Sequence, residues 1–174
     1  MKTLEDQLSQ YATYHRDRRN IATHLVGIPM IVLAVATLLA RPVVAEAGGM
    51  ALSPATAVTL AVVLYYLRLD LRFGAAMAVL LALSLWFAQA CAAAPTAVWL
   101  TTGIGLFVLG WIIQFVGHAF EGRKPAFVDD IVGLVIGPLF VVAELAFLAG
   151  LRRGLQQAIE QRAGGLRGQL PGMA

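Results

Sequence analysis

The sequence predicts an all-α membrane protein: about four transmembrane helices, an N-terminal interfacial helix, and a broken or re-entrant last apolar segment. Three observations carry this. Of 174 residues, 59% are apolar and 13% are charged, where soluble chains carry roughly 25% charge. The mean hydropathy is +0.76. The apolar residues form continuous runs, and a bilayer core takes about 20 helical residues to cross. Only helices and closed barrels satisfy the backbone in lipid, and unbroken runs read as helices.

Residues 3–20 read as a polar or amphipathic surface helix, with Leu4, Leu8, Tyr11 and His15 at helical spacing. The first span runs from about Ile21 to Ala40, and Arg41-Pro42 ends it. After a loop with Gly48-Gly49, Ser53 as cap and Pro54 in the first turn open a second span to about Leu67. Arg68, Asp70 and Arg72 alternate with apolar residues and cannot sit in lipid. They mark an interfacial turn, with Tyr65-Tyr66 as an aromatic belt. The third span is Phe73 to Ala92, and the fourth is Ala97 to Gly117.

The polar piece from His118 to Ala126 follows. A last apolar segment, about 127–151, contains Glu144 and is interrupted by Gly137-Pro138, which supplies the break. Residues 1–151 form a single helical membrane domain. The tail, 152–174, starts as a short helix and ends Gly-rich and disordered.

Basic residues set the orientation. Twelve of the thirteen lie in the N-terminal segment, the 68–72 turn, the piece after span four (Arg123, Lys124) or the tail, and only Arg41 lies elsewhere. Four crossings with a re-entrant last segment put all twelve on the cytoplasmic side. Five crossings, the competing arrangement, would put the tail outside. The N-terminus lacks the pattern of a cleaved signal peptide. The pI near 9.4 reflects topology and anionic lipid rather than nucleic acid. Arg16 to Arg19 reads as a lipid-facing basic patch. Cys91 is a lone residue in an apolar helix and forms no internal disulfide. Eleven Arg against two Lys suggests a GC-rich bacterial genome and so an inner membrane, or the endoplasmic reticulum in a eukaryote.

This topology gathers the titratable groups. His15, His24 and His118 fall on the cytoplasmic side, with Asp70, Glu121, Asp129 and Asp130. His118 and Glu121, three apart, share a helix face, as do Asn20 and His24. His15 and His24 are nine apart. On one straight helix that is about 2.5 turns, which puts them on opposite faces roughly 13 Å apart along the axis. A bend near Asn20 would bring both to one ion; otherwise only one is a ligand. Imidazole with carboxylate suits Fe(II), Mn or Zn, and two histidines with one carboxylate would suit an Fe(II) that activates O2. The competing reading makes the histidines interfacial anchors. No phosphate loop, nucleophile elbow or dinucleotide fingerprint is present.

Four blocks carry a resemblance: Tyr14-His15-x4-Asn20-x3-His24-x2-Gly27-x-Pro29; Tyr65-Tyr66-x2-Leu69-Asp70-x3-Gly74; Gln114-Phe115-x-Gly117-His118-x2-Glu121-x3-Pro125-Ala126; and Gly137-Pro138-x5-Glu144. Together they resemble the membrane 2-hydroxy fatty acid dioxygenase family, which includes a yeast enzyme of phytosphingosine alpha-oxidation. The resemblance implies an Fe(II) enzyme that uses O2 to remove one carbon from a 2-hydroxy fatty acid, without 2-oxoglutarate. It implies His15, His24 and His118 as iron ligands. Glu121 or Asp70 would be a ligand or a group orienting one, and Asn20 would hydrogen-bond substrate or ligand. The basic side chains add a further reading, in which Arg19, Arg68 or Arg72 attracts the substrate carboxylate. A b-type haem protein with His24 and His118 as axial ligands and a non-catalytic lipid-binding membrane protein are the competing functions.

Overall fold

A computed structural model describes residues 2–122, 125 and 130–167. Arg123, Lys124, Asp129, the first residues of the last apolar segment and the end of the tail lie outside the described residues. The helices are α1 (Leu4–Ala12), α2 (Arg18–Leu39), α3 (Pro54–Leu69), α4 (Leu71–Ala93), α5 (Thr96–Glu121), α6 (Gly133–Leu148) and α7 (Arg153–Ala163). A small antiparallel hairpin, β1 (Ala45–Ala47) with β2 (Met50–Leu52), replaces the expected loop around Gly48-Gly49. Among the described residues the other elements are all α-helices.

Helices α2, α4 and α5 have the length and hydropathy of crossings. At 16 residues α3 rises about 24 Å, short of a hydrocarbon core of about 30 Å. The surface is apolar: only 22% of the best window of α4 and 11% of that of α5 is buried. Leu71, Val79, Leu83, Trp86 and Phe115 are exposed. Meanwhile Asn20, His24, Gln114, His118 and Glu121 are buried. Apolar residues outside and polar ones inside make this an integral membrane protein.

The chain divides into two compact units. One is Pro29–Trp111. Here Asp70 caps α4 by accepting from the Arg72 and Phe73 N–H groups. A side chain at Gly74 would strike the Leu67 backbone, so the α3–α4 corner needs glycine there. Arg41 donates to the Ala92 and Ala94 carbonyls at the end of α4 and lies over Trp99. The Trp99 indole N–H donates to Thr37 O. Tyr66 is 1% exposed, so it is a core residue and not the belt residue expected.

The other unit is Met1–Ile28 with Ile112–Ala174. Thr3 and Asp6 form a capping box that starts α1. Leu4, Leu8, Tyr11 and Ala12 form its buried face. The chain leaves the helix at Thr13 and re-enters one at Arg18, with Asp17 accepting from the Arg19 N–H at the start of α2. The bend expected near Asn20 therefore falls earlier, at residues 13–17.

The break expected at Gly137-Pro138 is also elsewhere. α6 runs through Pro138, its sixth residue, at the cost of one intrahelical hydrogen bond. Gly137 lets the Tyr11 hydroxyl and Ile28 approach. The chain bends by 118° between α6 and α7, where Gly150 and Arg152 have φ of 74° and 55°. α7 then packs on α1, and Arg162 pairs with Glu5 and Asp6. Beyond it, Arg167 exchanges main-chain hydrogen bonds with Arg16 and Arg18.

Asp6 is held at a pKa of about 2, below its ordinary 3.8, first by the Thr3 backbone N–H, then by the Thr3 hydroxyl and Arg162. A depressed carboxyl stabilises above its unfolded pKa, and that contribution is lost as pH falls through the folded value. In detergent, Asp6→Asn should melt below wild type at about pH 5, and the gap should close as the pH falls from about 4 to about 2.

Candidate metal centre

The site is built where the α1–α2 connection, the start of α2 and the end of α5 meet. On α5, Gln114, Gly117, His118 and Glu121 are buried while Phe115, Val116, Ala119 and Phe120 are exposed. That is a single helix face. On α2, Asn20, His24 and Gly27 form the matching face. A Cβ on Gly117 would collide with Thr23 Oγ1 and Asn20 Oδ1, so glycine permits the close approach.

Three imidazoles converge in this contact. His15, His24 and His118 are 1%, 2% and 7% exposed, and one ligand atom from each lies within 4.8 Å of the others. The ring centroids of His15 and His24 are 4.4 Å apart. Those of His15 and His118 are 5.2 Å apart, and those of His24 and His118 are 5.0 Å apart. Tyr11 stacks on His15 at 4.2 Å and nearly parallel, which fixes that ring's plane.

The hydrogen bonds define the tautomers of two rings. His15 Nδ1 lies 2.8 Å from Tyr11 O, and His24 Nδ1 lies 2.8 Å from Asn20 O. A carbonyl only accepts, so both Nδ1 atoms carry the proton. Each Nε2 then holds a lone pair, and the two Nε2 atoms face each other at 3.0 Å. Two lone pairs at that distance repel unless a cation lies between or beside them. A shared proton is disfavoured, because burial first, and then His24 and His118, holds His15 well below its ordinary pKa of 6.5. A divalent transition metal resolves the conflict. Neutral imidazoles with Nδ1–H bound to backbone carbonyls are ligands already oriented by a second layer of contacts. The residues present therefore fit a metal ion.

The carboxylate is not part of this group. Glu121 Oε2 accepts from the Arg16 N–H at 2.9 Å, the Asp17 N–H at 2.8 Å and Asn20 Nδ2 at 3.1 Å. Its Oε1 lies 3.7 Å from Arg167 Nη2. Glu121 thus ties the loop carrying His15 to the helix carrying His118. The described residues converge three imidazoles, not two imidazoles and a carboxylate. Asn20 spans both functions, accepting from His24 through its carbonyl and donating to Glu121. Asn20 Oδ1 and Gln114 Nε2 are buried without a hydrogen-bond partner among the described residues, so a spare acceptor and a spare donor stand on these two faces.

The remaining sequence candidates sit elsewhere. Arg19 is exposed, forks onto the Asp17 carboxylate and lies over Phe120. Arg68 and Arg72 are exposed at the α3–α4 corner in the other unit, where Asp70 caps α4. The basic run does not face lipid as a whole. Arg18 and Arg19 are exposed, but Arg16 is buried at 4% exposure. No signal in a run of four charged residues distinguishes Arg16 from its neighbours, because the run crosses a helix break.

A helical integral membrane protein with a buried trihistidine cluster is the class that fold and site define. The profile of a family described as 2-hydroxy-palmitic acid dioxygenase Mpo1-like matches residues 1–148. The chain belongs to that Mpo1-like family. It is 31% identical over 169 residues to the 2-hydroxy-palmitic acid dioxygenase MPO1 of Saccharomyces cerevisiae, covering 90% of this chain and 87% of the yeast protein. No solved structure matches it.

Glu121→Ala should leave two main-chain N–H groups and the Asn20 amide without their acceptor, at roughly 3 kcal/mol or more of stability. Metal affinity should fall about 10- to 100-fold. Glu121→Gln, which keeps one acceptor oxygen, should lose less of both. Denaturation in detergent and titration with a chromophoric metal chelator measure the two quantities.

Proposed function

We propose that this protein is an Fe(II)-dependent dioxygenase that shortens 2-hydroxy fatty acids by one carbon with O2. The observation that carries the reading is the pair of Nε2 lone pairs facing each other at 3.0 Å beside a third imidazole. Imidazole suits Zn, Cu, Fe and Ni. Zinc has no redox chemistry, and oxidative chain shortening needs a redox metal. Membership of the Mpo1-like family supports iron's assignment to 2-hydroxy acids.

The proposed reaction balances without a second organic substrate. R–CH(OH)–COOH and O2 give R–COOH, CO2 and H2O; the bond between the carboxyl carbon and C2 breaks, and the substrate supplies all four electrons that reduce O2. His15, His24 and His118 would hold the iron, which when bound would supply a Lewis acid and a redox centre with open positions. The chain's own residues do the rest. Tyr11 and the Asn20 carbonyl fix two imidazole planes. Glu121 holds the His15 loop closed over α5. Asn20 Oδ1 and Gln114 Nε2 offer an acceptor and a donor to oxygen-bearing groups. Arg19 on one unit, and Arg68 and Arg72 on the other, are exposed cations suited to attracting an acid headgroup, and Asp70 caps the helix at the corner carrying the last two. We place the site on the cytoplasmic face of a bacterial inner membrane, following the basic residues.

Packing argues against the competing functions. The His24 and His118 ring centroids, 5.0 Å apart, leave no slot for a porphyrin between them. Histidines serving as interfacial anchors would be exposed, and these are buried.

Protein purified with iron should convert 2-hydroxypalmitate into the acid one carbon shorter, consuming O2. His15→Ala, His24→Ala and His118→Ala should each lower bound iron and turnover by about a hundredfold or more. Full turnover in any double variant, or a sharp Soret band in wild type, would overturn the assignment.

A further inference from the structure

The α1–α2 connection holds a cation that the imidazole cluster does not use. Arg16 follows His15 and is 4% exposed. Glu121 binds its main-chain N–H. Its side-chain Nη2 is shut off from solvent with no hydrogen-bond partner among the described residues. Burial, and then Arg167, works against its charge, while Glu121, Glu160 and Glu144 favour it. A buried charge needs hydrogen bonds as well as counter-charge. Glu144 and Glu160 line a small cavity with His15 and Arg16. Among the described residues neither makes a direct ion pair with Arg16.

Glu144 is the other residue still without a role. Phe140, Glu144 and Phe147 are four and three residues apart and share a face of α6. Phe140 places that face against His15, with ring centroids 5.7 Å apart. One turn on, Glu144 reaches the cavity wall. The cavity volume is about 20 Å3. One water needs roughly 10–15 Å3 and two to four polar partners. Arg16 Nη2 supplies a donor and the two carboxyls supply acceptors. Size and lining together are those of a single water site.

We propose that one ordered water fills this cavity and bridges Arg16 Nη2 to the Glu144 carboxyl, which makes Arg16 and Glu144 positioning residues for the histidine cluster. Residue 16 is then held twice, by Glu121 of α5 at its main chain and by α6 through the water at its side chain. A shift of His15, one residue back, strains both. A bridging water is nearly as favourable as a direct hydrogen bond. The role rests on the metal-binding part of the function proposed above, not on its substrate or reaction.

The test is a double-variant cycle on the full chain in detergent. Co(II) affinity is measured by competition with a chromophoric chelator, and melting is measured on the metal-free protein. Arg16→Met and Glu144→Leu should each weaken Co(II) about tenfold, the low end for groups that orient metal ligands. The double variant should also lose about tenfold, not the roughly hundredfold of independent sites, because either change breaks the same bridge. Arg16→Lys and Glu144→Gln, which keep a donor and an acceptor, should retain more affinity. Leu85→Ala, which opens the core of the other unit, should lower melting and leave Co(II) affinity unchanged. An equal loss of Co(II) affinity in Leu85→Ala would reduce the effect to general stability and overturn the positioning role. An experimental map that shows water should place one peak within about 3.2 Å of both Arg16 Nη2 and a Glu144 oxygen. A direct Arg16–Glu144 contact in that map would overturn the bridge. Tight Co(II) binding with additive losses, or with none, would sink the bridge and leave the metal centre standing. Wild type that binds no Co(II), with Arg16 and Glu144 still coupled in melting, would do the reverse.

Discussion

The buried carboxylate of Glu121 holds two main-chain N–H groups of the α1–α2 connection and the Asn20 amide at once. Hydrogen bonds to an ionised acceptor are stronger than neutral ones, and desolvation makes their loss costly. They tie the loop carrying His15 to the last turn of α5. With them, residues 15, 24 and 118 come within ligand distance of one another. Gly117 completes the contact by removing the side chain that would keep α2 and α5 apart.

That interaction explains why a protein with an apolar exterior tolerates so polar an interior. Polar groups within a membrane protein are expensive unless partnered. Here the partners are arranged in sequence: Tyr11 and Asn20 carbonyls hold two imidazoles, Asn20 reaches Glu121, and Glu121 reaches the loop. Among the groups left over near the histidines are the facing Nε2 lone pairs, Arg16 Nη2, Asn20 Oδ1 and Gln114 Nε2. The imidazole lone pairs among them are the complement of a metal ion. Gln156, Ile159 and Glu160 of α7 approach His15 and Arg16, and Arg167 bonds to the Arg16 and Arg18 main chain.

Much of this was legible in the chain. Hydropathy located α2 to α5 to within a few residues, because continuous apolar runs leave little choice of structure in lipid. Spacing paired Asn20 with His24 and His118 with Glu121, since both lie within regular helices. It also showed that His15 and His24 need a bend between them. The position of the bend was not legible: Tyr11 to Asn20 has no Pro or Gly, and the N–H groups of Arg16 and Asp17 are bound by Glu121, far along the chain. For the same reason the burial of Arg16, and the hydrogen bonds from the Arg16 and Asp17 main chain to Glu121, could not be read from spacing. Gly137-Pro138 misled because α6 continues through Pro138; the bend falls where Gly150 and Arg152 take positive φ.

X-ray absorption at the iron edge of the loaded protein tests the central claim most directly, because imidazole rings give an outer-shell scattering pattern that can be counted. The account predicts three imidazoles on one iron, falling to two in each of the His15→Ala, His24→Ala and His118→Ala variants. An iron shell with no imidazole pattern, or one unchanged by all three substitutions, would contradict it.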